Sequence, residues 1–262
     1  MFKSDESSLF APISERSPLV RWLKRRIPNP RLAFRSRESR KQFRIFLQRV
    51  REHPDGMLLN IGSKSVDLGP DVVNLDMRAF PNIHVLGDGH HLPFQDESLD
   101  GMIITSVLEH VANPRLIVRE IWRVLRTGGE LYVEVPFLRP FHPDPEDFRR
   151  YSLTGLQQLF GDFAIRNRGM CVGPSSGLAS VLSQYMAILV CFNNRHLYKV
   201  LARLFRFIFI PLTYVDIPLE RVRYSLALAS SYFLVCLKGS SDNKTGAQQA
   251  QEMRQKTIKK QR

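Results

Sequence analysis

Between residues 57 and 136 the sequence repeats one unit, in which a short apolar run ends at a glycine, an acidic residue or a turn. The five runs are Met57–Ile61, Val72–Leu75, Ile83–Leu86, Leu99–Thr105 and Leu131–Pro136. Residues 114–125 place apolar side chains at helical spacing, and Thr127-Gly128-Gly129 is expected to end that helix. Short buried strands interleaved with helices are typical of a doubly wound parallel sheet. We therefore predict a Rossmann-like α/β fold.

Composition narrows the class of protein. The chain has 262 residues and 44% apolar residues, enough to build a core and to exclude a wholly disordered chain. Its three cysteines are too few and too scattered for a disulfide framework or a zinc site, which favours a reducing compartment. The first residues lack the apolar core of a secretory signal, and no apolar run reaches the length of a membrane span. We expect a cytoplasmic protein, soluble or peripheral to the inner membrane.

The net charge of +13 is concentrated in two flanks. Residues 21–51 carry twelve basic side chains against one acidic, and residues 238–262 carry seven against two. The 186 residues between the two flanks are nearly neutral, with seventeen basic and nineteen acidic side chains. Enzymes of nucleic acids usually carry positive charge on the folded face beside the site. Charge in the flanks fits an anionic membrane surface or solubility at least as well.

Changes in composition along the chain predict its organisation. We expect a polar leader (1–20), a basic helical segment (21–53), a folded domain (54–238) and a basic disordered tail (239–262). The domain contains a helical apolar insertion at 178–228. Apolar side chains there alternate with basic ones, so the insertion is either a helical cover for a substrate cavity or a segment lying in a membrane interface.

Three strand ends carry the residue types of a nucleotide site. Gly62 follows the first strand, where a glycine lets a ligand approach the backbone. Asp76 ends the second strand and can accept hydrogen bonds from two ribose hydroxyls. Asp88 ends the third and can contact an adenine edge. Each feature alone is common, but their ordered recurrence at successive strands is a stronger signal.

Residues 58 to about 160 resemble the class I S-adenosylmethionine-dependent methyltransferases of the type 11 group. The matching segments are LLNIGSKS, VVNLDM, GDGHHLPFQDESLDGMIITSVLEHV, NPRLIVREIWRVLRTGGELYVEVPF and HPDPEDFRRYSLTGL. The part from Gly87 to Gly129 is the most specific. The resemblance implies S-adenosylmethionine as the cofactor, and a late strand at Ser231–Lys238 that completes a mostly parallel sheet in the antiparallel sense.

The resemblance also implies roles for individual residues. Gly62 would contact the methionine part of the cofactor, Asp76 the ribose, and Asp88 with Gly89 the adenine. The full set of implied cofactor residues is Asn60, Gly62, Ser63, Asp76, Met77, Asp88, Gly89, Thr105 and Ser106. The implied substrate residues are Glu109, Asp147 and Tyr151, within a reaction cavity and a loop after the fifth strand.

The first turn departs from the family's pattern in two ways. Ser63-Lys64-Ser65 stands where the family usually has a second glycine. Gly62 and Asp76 are only fourteen residues apart, against roughly 20 in dinucleotide folds, which leaves room for a stub of the first helix. Lys64 either pairs with the cofactor's carboxylate or is simply solvated.

Methyl transfer from a sulfonium needs a base only when the acceptor is a protonated hydroxyl or amine. The candidate catalytic residues are His110 and His142, because an unperturbed imidazole titrates near neutrality. His110 is otherwise a packing residue at a helix end, and His142 otherwise braces its loop through Asp147. No metal site is predicted.

The leading hypothesis is methyl transfer to a small-molecule, glycan or lipid-linked acceptor. The alternative is a catalytically silent binding module at a membrane surface, favoured by the altered glycine turn and the charged flanks. A nucleic-acid methyltransferase is disfavoured, because Thr105-Ser106-Val107-Leu108 stands where an Asn-Pro-Pro-Tyr motif would be. The oligomeric state has no signal in the sequence.

Overall fold

The computed structural model describes Leu32 and residues 34–53, 56–64 and 66–239. The predicted leader and, apart from Gly239, the predicted tail lie outside the described residues. The chain divides into two compact units. Of the described residues, those within 37–137, 148–171 and 232–239 form the sheet unit. The described residues before 37 form the helical unit together with 138–147 and 172–231.

Seven strands form one sheet in the order β3-β2-β1-β4-β5-β7-β6. They are β1 (Leu58–Ile61), β2 (Val72–Asp76), β3 (Val85–Leu86), β4 (Leu99–Thr105), β5 (Leu125–Pro136), β6 (Ala164–Val172) and β7 (Ser231–Leu237). The pairs from β3 to β5 are parallel. Just after β7, Lys238 exchanges backbone hydrogen bonds with Gly128 and Gly129 of β5, the pattern of an antiparallel pair. The predicted Rossmann-like α/β sheet with a late antiparallel strand is confirmed.

The helices belong to both units. The sheet unit contains α1 (Arg37–Arg51), α2 (Pro114–Val124) and α3 (Leu153–Leu159). The helical unit contains α4 (Pro174–Val190), α5 (Arg195–Thr213) and α6 (Asp216–Leu219). Short 3-10 turns lie at Leu108–His110 and Arg223–Leu228. In the part of the chain that is described, no helix combines the length and the apolar character needed to cross a bilayer.

Two local expectations are corrected, and one strand had not been predicted. α2 ends at Val124 and not at Gly128-Gly129, because Leu125 already pairs with Leu99 and starts β5 early. Among the described residues between β1 and β2 there is no helix, where a stub was expected. β6 was not predicted, since exposed positions such as Arg166 and Arg168 interrupt its apolar pattern.

The core of the sheet unit is built around Tyr132 of β5, which is fully buried. Phe43 and Phe46 of α1 approach its ring with centroid distances of 4.8 and 5.8 Å, and Phe233 of β7 stacks at 6.1 Å. Tyr132 donates its hydroxyl hydrogen to Glu134 at 2.8 Å, so its polar end is satisfied inside the core. This packing fixes α1 against the sheet.

In the helical unit α4 and α5 pack against each other. α4 begins at Pro174, ahead of the expected start of the insertion at Leu178. Asp216 accepts hydrogen bonds from the backbone N–H groups of Ser175 and Ser176, at 2.8 and 2.9 Å. A buried carboxylate therefore caps the first turn of α4 and ties α6 to it.

Candidate functional site

The parallel pairing of β1, β2 and β3 brings three predicted residues to one edge of the sheet. Gly62, Asp76 and Asp88 each follow or end one of these neighbouring strands. Carboxyl ends of parallel strands lie on the same side, which is where ligands bind in doubly wound folds. The structure therefore places the three residues at the same edge of the sheet, as the sequence predicted.

The turn after β1 needs its glycine. Gly62 has φ +66, a left-handed conformation, and a Cβ there would lie 2.3 Å from Cγ2 of Val107. Next to it, the hydroxyl oxygen of Ser63 is buried and makes no hydrogen bond within the described residues. A buried hydroxyl without a partner is costly unless a ligand or water supplies one.

Asp76 organises the same turn from the end of β2. Its side chain is buried, and its two carboxylate oxygens accept hydrogen bonds from the backbone N–H groups of Lys64 and Arg78, each at 2.9 Å. Each oxygen retains capacity for a second donor. Met77 beside it is 69% exposed. Asn60 instead donates its side-chain amide to Asn74 of β2 at 3.1 Å.

Asp88 lies at the end of the third strand. Its Oδ1 accepts from the backbone N–H of His90 at 3.0 Å and lies 2.7 Å from the ring Nδ1 of that histidine. Partial burial raises the pKa of the Asp88 carboxyl, but the contacts with His90 outweigh it and hold that pKa below its usual range. Gly89 is buried, and a Cβ there would lie 3.3 Å from Cδ1 of Ile117 and 3.4 Å from Cγ2 of Ile61. Leu86, two residues earlier, is 66% exposed.

The segment after β4 carries four further predicted residues. Thr105 ends the strand, and Ser106 turns the chain with φ 53 while its N–H donates to the carbonyl of Glu134 at 3.0 Å. In the following 3-10 turn Glu109 is fully buried. Nε2 of His110 lies 3.7 Å from a carboxylate oxygen of Glu109.

Tyr151 is fastened to this turn. Its hydroxyl donates to the carbonyl of Leu108 at 3.1 Å, and the N–H of Phe148 donates to the carbonyl of Glu109 at 2.8 Å. Burial raises the pKa of Tyr151 to about 12. The sheet unit thus brings Glu109, His110 and Tyr151 together.

The helical unit brings His142 and Asp147 together. The buried carboxylate of Asp147 accepts from the backbone N–H of His142 at 2.8 Å and lies 3.4 Å from its Nδ1. Nδ1 is also 2.9 Å from the carbonyl oxygen of Pro140. A carbonyl only accepts, so Nδ1 is the donor in this contact, and Nε2 is the nitrogen left to accept a proton in the tautomer that has its hydrogen on Nδ1.

Two neighbours of the site had no role in the sequence analysis. Val107 fills the space over Gly62, and Leu86 exposes an apolar side chain beside Asp88. For Leu86 a signal existed, because an apolar residue directly before Gly87-Asp88 lies at a strand end, where the sheet no longer covers it. For Val107 no spacing rule points to the contact.

Comparisons with known proteins show which proteins this chain is similar to. A family model described as "Methyltransferase domain" matches residues 61–133. The Ubiquinone/menaquinone biosynthesis C-methyltransferase UbiE of Haemophilus ducreyi is 30% identical over 118 residues, covering 44% of this chain and 45% of that protein. The Demethylmenaquinone methyltransferase of Renibacterium salmoninarum is 32% identical over 140 residues, covering 47% of this chain and 59% of that protein.

The chain thus spans about half the length of these curated relatives. Among solved structures, Phosphoethanolamine N-methyltransferase 2 of Haemonchus contortus, in complex with S-adenosyl-L-methionine, is 13% identical with a TM-score of 0.45. That alignment covers 76% of this chain and 53% of the other. The predicted resemblance to methyltransferases of type 11 is thus confirmed for residues 61–133, the part of the chain that the family model matches.

Proposed function

We propose that this protein binds S-adenosylmethionine at the carboxyl ends of β1, β2 and β3 and transfers its methyl group to a small-molecule acceptor. The observation that carries the proposal is the pair of carboxylates, Asp76 and Asp88, at adjacent strand ends beside exposed Met77 and Leu86. Hydrogen-bond acceptors next to exposed apolar side chains suit a nucleoside, which has hydroxyls on a sugar and a flat aromatic base.

The residues present fit that cofactor. Asp76 holds the turn through Lys64 and keeps acceptor capacity for ribose hydroxyls. The buried hydroxyl of Ser63 lacks a partner within the described residues, and it stands next to the glycine turn that would face the methionine part. Asp88, with its lowered pKa, stays ionised and can accept from an adenine amino group.

S-adenosylmethionine would supply an activated methyl group on its sulfonium. The chain's own contribution is then to hold the acceptor in line with that group and to exclude water. We propose Glu109, Asp147 and Tyr151 as substrate residues, with Thr105 and Ser106 beside the cofactor. His110 and His142 are the proposed bases for an acceptor that must lose a proton, and in His142 the accepting atom is Nε2.

Support for a small-molecule acceptor comes from the relatives, which are named for quinone methylation. We extend this proposal to glycan or lipid-linked acceptors handled on the cytoplasmic side of a membrane. Nucleic acid is not favoured, since residues 52–237 carry no excess of positive charge.

Calorimetry with S-adenosylmethionine and S-adenosylhomocysteine tests the cofactor proposal. We expect micromolar binding by the wild type and a loss of at least about tenfold in Asp76→Ala, because both a ribose acceptor and the Lys64 contact disappear. Asp67→Ala is the matched control: its carboxylate accepts from Gly69 N–H in the same loop, and its removal leaves affinity unchanged. No binding by the wild type would overturn the proposal.

A second candidate function is a catalytically silent module at a membrane surface. The observation that favours it is Ser63-Lys64 in place of a second glycine, combined with an Asp76 that already accepts a backbone hydrogen bond from Lys64. Transfer of tritium from S-[methyl-³H]adenosylmethionine into lipid and small-molecule extracts separates the two. Label that depends on His110 or His142 supports the enzyme, and cofactor binding without any transfer supports the module.

A further inference from the structure

α4 exposes a stripe of large apolar side chains and contains no charged residue. The exposed side chains are those of Leu178, Val181, Tyr185, Ile188 and Leu189. Their spacing of three and four residues places them on one face of the helix. The opposite face carries small buried residues, such as Ala179, Ser183 and Ala187. An apolar stripe of this length left in water marks an interaction surface.

The stripe continues beyond α4. Phe192, in the turn to α5, has a positive φ and is 87% exposed. α5 then exposes Leu197, Leu204 and Ile208, again at intervals of seven and four. The α4–α5 hairpin therefore presents apolar side chains along α4, at its tip and along α5.

Residues 172–231, which include the α4–α5 hairpin, carry an excess of positive charge. Residues 172–231 contain six Arg and Lys residues against two acids, Asp216 and Glu220. Asp216 is buried at the start of α4, where it caps the helix. Arg221 and Arg223 are exposed and alternate with exposed Val222 and Tyr224, the latter 84% exposed. Arginine beside aromatic and apolar side chains is the composition that suits an anionic lipid interface.

We propose that the α4–α5 hairpin and the Arg221–Leu228 segment dock this protein on an anionic lipid surface. The apolar stripe enters the boundary between headgroups and acyl chains, while Arg221 and Arg223 stay at the level of the lipid phosphates. The positive charge of residues 172–231 would suit either an anionic lipid surface or an acidic soluble protein. The uncharged apolar stripe of α4 favours the lipid surface, because an acidic protein that contacted only the arginines would leave the stripe in water. The inference does not require cofactor binding, so it holds for either candidate function.

Co-sedimentation of the full chain with vesicles tests it. We expect binding to phosphatidylcholine mixed with phosphatidylglycerol, and weaker binding to phosphatidylcholine alone. The double variant Ile188→Gln/Phe192→Gln should lower partitioning at least about tenfold, because each side chain loses its apolar burial. Met57→Gln/Val66→Thr, at two exposed apolar positions of the sheet unit, is the matched control and should bind as the wild type does.

Charge is tested by Arg221→Gln/Arg223→Gln, which should reduce binding to the anionic vesicles by roughly tenfold or more and leave the weak neutral binding unchanged. Absence of vesicle binding, or binding that Ile188→Gln/Phe192→Gln leaves intact, overturns the proposal. A dimer in sedimentation velocity that this double variant dissociates would instead assign the stripe to a second copy of the chain. Calorimetry with S-adenosylhomocysteine on the same variant should match the wild type, so failure of the lipid proposal and failure of the cofactor proposal are told apart.

Discussion

The backbone N–H of Lys64 donates to Oδ2 of Asp76 at 2.9 Å, so one carboxylate joins the turn after β1 to the end of β2. Lys64 makes this contact with φ 50, in the left-handed region. The chain thus adopts at Lys64 a conformation that glycine would adopt without strain. A Cβ in that region costs roughly 1–2 kcal/mol.

Lys64→Gly should therefore stabilise the protein. The variant loses the backbone strain of the left-handed residue, which raises the free energy of unfolding. The larger conformational entropy of glycine in the unfolded chain offsets about 0.4–1 kcal/mol of that gain. We expect a rise of about 0.5 kcal/mol in the free energy of unfolding, measured by urea denaturation. Lys64→Ala keeps the Cβ and should show no gain, so equal stabilities of the two variants would contradict the strain argument.

Gly62→Ala should be more costly than an alanine at another left-handed glycine. It adds about 1–2 kcal/mol of backbone strain and also forces Val107 away, since the new Cβ would lie 2.3 Å from its Cγ2. Gly128→Ala is the matched control, with φ +82 but no atom of the described chain within 4 Å of a Cβ. We expect the free energy of unfolding of Gly62→Ala to be about 1–3 kcal/mol lower than that of Gly128→Ala. Equal free energies for the two variants would show that the contact with Val107 has no cost.

The sequence predicted the sheet well where strands are buried on both faces. β4 was predicted with both of its ends, Leu99 and Thr105, because six of its seven residues are buried and most of them are apolar. β6 was missed because it alternates exposed Arg166 and Arg168 with half-buried residues and only its last three residues are buried. Sequence patterns reveal a strand through the spacing of its apolar residues. A strand that has one face in solvent and few apolar residues therefore shows little of this pattern.

The site was predictable in its strand-end residues and not in its contacts. Asp76 and Asp88 follow from position alone, since acids after apolar runs in a parallel sheet share one edge. The tautomer of His142 depends on the backbone carbonyl of Pro140. The hydrogen bond that joins Asp76 to the turn after β1 depends on the backbone N–H of Lys64. Backbone donors and acceptors are present at almost every residue, so the sequence does not indicate which of them is used.

Tyr151→Phe should destabilise the protein at neutral pH. The variant leaves the buried carbonyl of Leu108 without its donor, which costs about 1–2 kcal/mol. Burial raises the pKa of Tyr151 to about 12, above its ordinary value near 10. The protonated tyrosine thus contributes stability that is fully present below pH 10 or so and is lost as pH rises toward about 12.

The wild type should consequently lose stability relative to Tyr151→Phe across that alkaline interval, by up to roughly 2–3 kcal/mol. Urea unfolding at a series of pH values measures the difference. Tyr224→Phe, at an exposed tyrosine, is the control and should follow the wild type throughout. A gap between wild type and Tyr151→Phe that does not change with pH would contradict the prediction.

Asp216→Ala should uncap α4. The buried carboxylate accepts the N–H groups of Ser175 and Ser176, so its loss leaves two buried donors without a partner at the positive end of the helix. We expect a loss of about 2–4 kcal/mol in the free energy of unfolding, and about half of that for Asp216→Asn, which keeps one acceptor oxygen. Asn194→Ala removes the exposed cap of α5, which accepts from His196 and Leu197, and should cost only about 1 kcal/mol. The loss of unfolding free energy should therefore be largest for Asp216→Ala, smaller for Asp216→Asn and smallest for Asn194→Ala. A larger loss for Asn194→Ala than for Asp216→Ala would contradict the prediction that the buried cap matters more than the exposed one.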